Sequence, residues 1–255
     1  MIDLHNHILP GLDDGPETTE GSLALARAAV AGGVRTIVAT PHIDHIYEVS
    51  PDAIPAAVSA LSDTLAREGV PLELRAGGEV AFTRLADLDA DDRAAVQLGG
   101  GPYLMLESPY ATTGLDFDAH AYRLRMQGQE LLLAHPERSP LFQREPDRLA
   151  RLVDAGVLCS ISAGSIAGEF GRRVRGFALK LLGDGLVHNV SSDAHDHRRR
   201  PPDLRMRLKR AERALPGLAA QIEWLTDAVP AAILAGTELP PRPAAVPGRR
   251  RRRVF

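Results

Sequence analysis

Two histidines, His5 and His7, stand two residues apart in a short apolar run near the N-terminus. In a β-strand, residues i and i+2 face the same side, so this strand offers two imidazoles at its C-terminal end. The chain then enters a loop carrying Asp13 and Asp14. Imidazole nitrogen and carboxylate oxygen together suit a divalent cation such as Mn, Fe, Zn or Co. A His-x-His pair alone is a weak signal. The weight comes from later strand ends, where His42, Glu79, Glu107, His135, and Asp193 with His195 recur. Ordinary polar strand ends would mix in Ser, Thr and Asn; here His and acid dominate. Five histidines and at least four carboxylates exceed the needs of one ion and point to two or three ions sharing bridging carboxylates.

The elements that must position these groups follow from periodicity. Apolar runs starting near residues 2, 34, 70, 103, 130, 157 and 187 read as seven strands, most followed by a helix. Helices are expected over 17–32, 51–68, 116–127, 146–155 and 169–182, with two or three more helical segments up to about 236. Strands alternating with helices imply parallel pairing, and strands apolar on both faces imply a sheet buried on both sides. The candidate ligands fall at strand C-termini, which converge on one mouth in a barrel. The sixth strand, ending near Ser162, is the exception that carries no candidate ligand. The expected fold is therefore α/β: a single-domain, distorted (β/α)7 TIM-like barrel over residues 1–236 with a multinuclear metal site at its mouth. A Pro/Arg-rich tail, expected to be disordered, spans 237–255.

Composition bounds the rest. A chain of 255 residues can bury a large core. The single cysteine, Cys159, excludes an internal disulfide and lies in an apolar run, which favours a buried thiol over a nucleophile. No signal-peptide pattern opens the chain, and no stretch is expected to reach the length that spans a membrane, so a cytoplasmic protein without stable membrane insertion is expected. Removing the five arginines of 249–253 from the net charge of −3 leaves the body at −8, which gives no hint of a nucleic-acid surface. The tail itself is read as a solvated end, since five charges without an adjacent apolar helix anchor weakly.

Two barrel superfamilies open with His-x-His on the first strand. Amidohydrolase-like barrels commonly bridge their metals with a carboxylated lysine, yet no lysine precedes Lys180, which falls within an expected helix. The blocks Asp3-Leu-His-Asn-His7, Thr40-Pro-His42, Gly78-Glu79, His135-Pro-Glu-Arg138 and Ser192-Asp-Ala-His195 resemble, in order, the motifs of the polymerase-and-histidinol-phosphatase (PHP) family. The extended first block, through Asp13-Asp-Gly-Pro16, and the last block with Arg200-Pro201 beyond it resemble the bacterial capsule-locus tyrosine phosphatases of the CpsB/YwqE/CapC type.

That resemblance implies three ions. His5, His7, Glu79 and Asp193 would hold the first, with Glu79 bridging to a second held also by Glu107 and His135. The third would take His42, His195 and an acid from the Asp13–Asp14 pair; the family pattern favours Asp14, while the sequence itself leaves both open. Mn is the expected metal, with Fe or Zn compatible with mixed donors. The resemblance also makes Arg138 and Arg200 the phosphate-binding arginines, and a guanidinium fork suits bidentate phosphate contact. Arg198 and Arg199 are rivals to Arg200. The implied activity is hydrolysis of a phosphomonoester by a metal-bridging hydroxide. A protein-tyrosine phosphatase regulating capsule or exopolysaccharide, acting on a phosphorylated protein such as a bacterial tyrosine kinase, is the first reading. A phosphatase for a small phosphomonoester such as histidinol phosphate, and a non-catalytic metal-binding PHP domain, are the alternatives. His45 and His197 lie near the candidate ligands, and Tyr47 and Tyr110 could rim a pocket for an aromatic substrate; His120 and His188 read as structural.

Overall fold

The computed structural model describes residues 1–110 and 116–243. Runs of Leu, Ile, Val and Ala form parallel strands, most of them buried on both faces. The chain order is β1 (Ile2–Asn6), α1 (Thr19–Ala31), β2 (Thr36–Ala39), β3 (His42–Ile43), α2 (Ala53–Arg67), β4 (Glu73–Ala76), β5 (Glu79–Val80) and α3 (Ala90–Ala95). There follow β6 (Tyr103–Glu107), α4 (Phe117–Met126), β7 (Glu130–Ala134), α5 (Pro140–Arg144), α6 (Pro146–Asp154), β8 (Leu158–Ser162), α7 (Ala163–Ala167), α8 (Gly171–Gly183), β9 (Asn189–Ser191), α9 (Leu204–Glu212) and α10 (Val229–Ala235). Leu104, Leu106, Leu131, Leu132 and Leu133 of the central strands are fully buried, and Phe117 and Phe142 meet edge-on beneath them at 5.8 Å.

All pairings are parallel, in a three-stranded sheet β1-β2-β4 and a six-stranded sheet β3-β5-β6-β7-β8-β9. Two of the seven expected strands are each broken into a pair. Pro41, which has no N–H to donate, interrupts the run between β2 and β3. Gly77 and Gly78 divide β4 from β5 where the chain passes too close for a side chain: a Cβ at Gly77 would lie 2.8 Å from Val38, and one at Gly78 3.0 Å from Ile43 and Val96. No closed sheet is found among the described residues. β1 and the segment after β9 meet through one bridge, Asn6 to Ala194, reinforced by the His7 N–H to Ala194 O at 2.9 Å and the Asp193 N–H to His5 O at 3.0 Å. Side chains reinforce that seam. Asp3 accepts the Ser192 backbone N–H at 2.9 Å, the Ser192 hydroxyl at 2.5 Å and the Asn6 amide at 3.0 Å.

Two further differences concern the C-terminal third. The helix expected at 169–182 forms as α8, and an unexpected short helix, α7, precedes it; Gly168 at φ +95° ends α7 and Gly171 at φ +90° opens α8. Contrary to expectation, Leu218–Ala235 is an 18-residue helical stretch of mean hydropathy 1.2, long and apolar enough to cross a membrane by length and composition. Its 56% burial has a simpler cause: Leu225, Val229 and Ile233 of this stretch are core residues at 0% exposure. The described chain continues past Gly236. Arg242 stacks over Trp224 at 4.2 Å and donates to Val187 O, and the Trp224 indole N–H donates to Pro240 O at 2.9 Å. The poly-Arg run lies outside the described residues.

Candidate metal centre

β1 delivers His5 and His7 to one place: their Nε2 atoms lie 3.2 Å apart. β5 brings Glu79 beneath them. Its Oε2 lies 3.0 Å from His5 Nε2, 3.5 Å from His7 Nε2 and 3.2 Å from His42 Nδ1, while Oε1 lies 2.6 Å from His135 Nε2. One buried carboxylate thus faces four imidazoles. The segment after β9 adds Asp193, whose Oδ1 lies 3.7 Å from both His5 Nε2 and His7 Nε2. His195 Nε2 lies 3.1 Å from Asp14 Oδ1, and His42 Nε2 lies 3.5 Å from the same oxygen.

All nine candidate ligands named from the sequence come together at the strand C-termini. Four groups have donor atoms close enough to share a cation: His7, Asp14, His42 and His195; His5, His7 and Asp193; His5, Glu79 and His135; and His42, Glu79 and Glu107. Glu79 links two of these groups. Glu107 falls with His42 and Glu79, where the family pattern paired it with His135.

The structure separates the two adjacent aspartates. Asp13 turns inward: its Oδ2 sits 2.6 Å from His7 Nδ1 and accepts the His42 backbone N–H at 3.1 Å. Asp14 faces the cavity. The turn that splays them depends on Gly15, where a Cβ would stand 2.1 Å from His7 O. His7 therefore spends Nδ1 on Asp13 and aims Nε2 at Glu79 and Asp193, the arrangement in which a carboxylate orients a metal-binding imidazole.

Several features fit a cation at this place. His135 Nδ1 and His195 Nε2 are buried without a hydrogen-bond partner, the latter close to Asp14 but out of line for a hydrogen bond. Burial and the Arg138 guanidinium push His135 down to about 4, and burial and His7 push His195 to about 4, leaving both imidazoles neutral with lone pairs free. Glu79 and Asp193 are held well below the usual carboxylate range, as the attraction of neighbouring imidazoles, and for Asp193 also of both arginines, outweighs burial. Asp14 is held at about 2 against burial by His195 and neighbouring imidazoles. Two groups carry excess protons. Burial and the Glu79 charge raise Glu107 to about 8, whereas Asp13 and Glu79 overcome burial to raise His7 to about 10. Cation binding displaces such protons, because imidazole and carboxylate ligands must be deprotonated.

Backbone strain marks the same spot. His135 at φ +34° and Asp193 at φ +51° are two of three non-glycine residues in the left-handed region among the described residues. Each costs on the order of 1–3 kcal/mol and persists only where surroundings enforce it.

Arg138 Nη1 donates to Asp193 Oδ2 at 2.6 Å, and Arg200 Nη2 forms an ion pair with Asp193 Oδ1 at 2.8 Å. Both guanidiniums line the same cavity of about 300 Å³ as Asp14, His42, Glu79 and Glu107. Arg198 and Arg199 do not line it. Neither do His45, near Asp87, and His197, which accepts from Arg198. His120 packs edge-on to Phe82, and His188 accepts the Cys159 backbone N–H, so both serve structure.

Ser162 and Phe170 contribute without a mark in the sequence, and Glu137 contributes from within the His135–Arg138 block without an expected role. The Ser162 hydroxyl donates to Asp193 Oδ2 at 3.1 Å, so the sixth strand end does serve the site, through a neighbour. Glu137 accepts the Ser162 backbone N–H at 3.0 Å. Phe170 lies 4.5 Å beneath the Arg138 guanidinium. Their types are ordinary for a strand end or a helix start, and only distance identifies them.

Residues 1–221 match the family described as capsular polysaccharide synthesis, CpsB/CapC. Over 197 residues, 77% of this chain and 78% of the relative, 36% of positions are identical to tyrosine-protein phosphatase YwqE of Bacillus subtilis. The putative tyrosine-protein phosphatase CapC of Staphylococcus aureus is 31% identical over 202 residues, 79% of each chain. A solved structure from a study of YwqE of B. subtilis and CpsB of Streptococcus pneumoniae, described there as metal-dependent tyrosine phosphatases, superposes with a TM-score of 0.85 and 32% identity. It covers 96% of this chain and 99% of that one. The chain belongs to the CpsB/CapC family.

Proposed function

We propose that this CpsB/CapC-family chain is a metal-dependent phosphatase that hydrolyses phosphotyrosine in proteins, in the service of capsule or exopolysaccharide synthesis. The observation that carries this reading is the joint placement of two guanidiniums and four cation-sized donor groups around one cavity. A phosphate monoester dianion needs positive charge around its oxygens and a water delivered in line with the leaving group. The tyrosine-phosphatase relatives favour the aromatic phosphoester over a metabolite such as histidinol phosphate. The complete donor set speaks against a non-catalytic metal-binding domain.

His5, His7, Glu79 and Asp193 would hold one ion, Glu79 would also serve a second with Glu107 and His135, and Asp14, His42 and His195 would hold a third. Mn is the metal we assign, and Fe or Zn suits the same mixed donors. Bound divalent ions supply Lewis acidity and water activated near neutral pH. The chain's own groups do the rest. Asp193 holds Arg138 and Arg200 side by side, so their remaining N–H groups face the cavity as phosphate donors. Asp13 fixes the His7 ring, and Ser162 fixes Asp193. A tyrosine leaving group departs with an ordinary pKa near 10 and asks for little protonation.

We assign residues 1–236 to one catalytic unit with the strand pairs arranged as a distorted (β/α)7 barrel, and 237–255 to a tail dispensable for catalysis. A cytoplasmic location and a phosphorylated kinase as partner complete the reading. Glu79→Ala and His135→Ala should each abolish phosphate release and lower bound metal. Normal turnover with full metal content in either variant refutes the site.

A further inference from the structure

Five large apolar side chains stand exposed among the described residues: Ile46, Tyr47, Tyr110, Met126 and Met206. Three of them, Ile46, Tyr47 and Tyr110, line the cavity that holds the candidate metal ligands and both arginines. Floor and rim therefore differ in chemistry. The floor is buried imidazole, carboxylate and guanidinium; the rim is aromatic and aliphatic, with Ile46 80% exposed. Exposed apolar surface gathered at one place marks a binding site more strongly than the same residues scattered.

The rim is held in shape. Asp44 Oδ1 accepts the backbone N–H of Ile46 and of Tyr47, both at 2.8 Å, which fixes the turn after β3. The Tyr47 ring lies nearly parallel to the His42 imidazole, 14° between planes and 5.6 Å between centroids. Tyr110, in the segment after β6, sits with the Arg138 guanidinium 5.6 Å from its ring centre and His135 at 5.9 Å. The preceding residue is tied down by the Ser139 hydroxyl, which donates to Pro109 O at 2.6 Å.

We infer that Ile46, Tyr47 and Tyr110 form an aryl-recognition rim that selects phosphoesters of a flat aromatic ring over those of an alkyl chain. The inference rests on the phosphatase reading above and names the residues that give the site its substrate class. Charge draws the phosphoryl group to the floor whatever it is attached to, so binding at the floor does not tell tyrosine from serine. Discrimination in binding has to come from the atoms beyond the ester oxygen. An aryl ring leaving the floor meets apolar carbon and ring faces, and gains area burial and ring stacking. A short alkyl group offers too little surface for either.

The test compares kcat/KM for phenyl phosphate and ethyl phosphate in the Mn-loaded wild type, Tyr47→Ala, Tyr47→Phe, Ile46→Ser and Tyr110→Ala. Calorimetric binding of phenylphosphonate and methylphosphonate to the same proteins gives a readout independent of turnover. Tyr47→Ala and Tyr110→Ala should each lower the aryl-to-alkyl ratio by about 3- to 10-fold. Ile46→Ser should lower it in the same direction. Tyr47→Phe, which keeps the ring, should preserve it. Phenylphosphonate affinity should fall in step while methylphosphonate affinity holds. Equal loss on both esters would mean that Tyr47 acts only by propping His42, and overturns the rim alone, as does an unchanged ratio. Hydrolysis of neither ester by the wild type overturns the phosphatase reading and the rim with it.

Discussion

Replacing Asp13 by alanine should weaken metal binding without removing a ligand. The carboxylate sits 2.6 Å from His7 Nδ1 and also accepts the backbone N–H groups of Gly15 and His42 at 3.0 and 3.1 Å. A charge-assisted hydrogen bond of this kind contributes about 1.5–3 kcal/mol, which at ~1.4 kcal/mol per tenfold corresponds to roughly 10- to 150-fold. Loss of a carboxylate that orients a metal-binding histidine lowers affinity by about 10- to 100-fold. We expect a loss in that overlapping range for the ions served by His7. Asp13→Asn, which keeps an acceptor for the two backbone N–H groups but no charge, should fall between. Asp14→Ala should behave differently, lowering the number of ions bound. Mn titration by calorimetry, with thermal melting to verify folding, reads both quantities. Asp13→Ala binding Mn within twofold of wild type, or losing an ion while Asp14→Ala keeps all, would refute the division of labour between the two aspartates.

Other outcomes follow from single contacts. Arg138→Ala should keep full metal content but raise KM or lower kcat for phosphomonoesters; unaltered kinetics remove it from the mechanism. Phe170→Leu removes a cation–π contact of about 0.5–2 kcal/mol, so KM should rise several-fold with metal content unchanged, and Phe170→Tyr should rescue it. Burial and Arg242 depress His188 to about 4. Its neutral form accepts from the Cys159 N–H, so it contributes stability that is fully present above its ordinary pKa near 6.5 and lost as pH falls toward 4. In urea titrations across that window, His188→Gln should lose less stability than wild type, by up to about 3 kcal/mol; parallel curves would show that His188 is not the titrating group. Truncation after residue 243 should leave activity and melting temperature unchanged, whereas truncation after 236 also removes the Arg242–Trp224 stack and should destabilise by about 1–3 kcal/mol. Equal melting of the two truncations would deny that contact any weight.

The chemistry of the mouth was readable in the sequence because it is carried by residue type at strand ends. His5 and His7 obey the period of two, and His42, Glu79, Glu107, His135, Asp193 and His195 each follow an apolar run. What distance alone decides was not readable. Asp13 and Asp14 are neighbours of one type, and only the Gly15 turn sends one inward and one to the cavity. Ser162 has the residue type of an ordinary strand end, and only the contact of its hydroxyl with Asp193 gives it a role. The seven apolar runs gave the strand order. The breaks at Pro41 and at Gly77–Gly78 are local events that a continuous run of hydrophobicity hides, and where a distorted barrel is expected, β1 and the segment after β9 share a single bridge. Gln221, Glu223 and Asp227 mask the apolar stretch at 218–235 in the sequence; packing turns its apolar face to the core.

The most direct measurement is phosphate release by Mn-loaded and chelator-stripped protein, with a phosphotyrosine peptide and histidinol phosphate supplied at equal concentrations. A tyrosine phosphatase built on this donor cluster should release phosphate only when metal-loaded and should prefer the peptide. Equal release after stripping would contradict the metal centre. Metal-dependent preference for histidinol phosphate would contradict the protein-phosphatase assignment while leaving the metal centre standing.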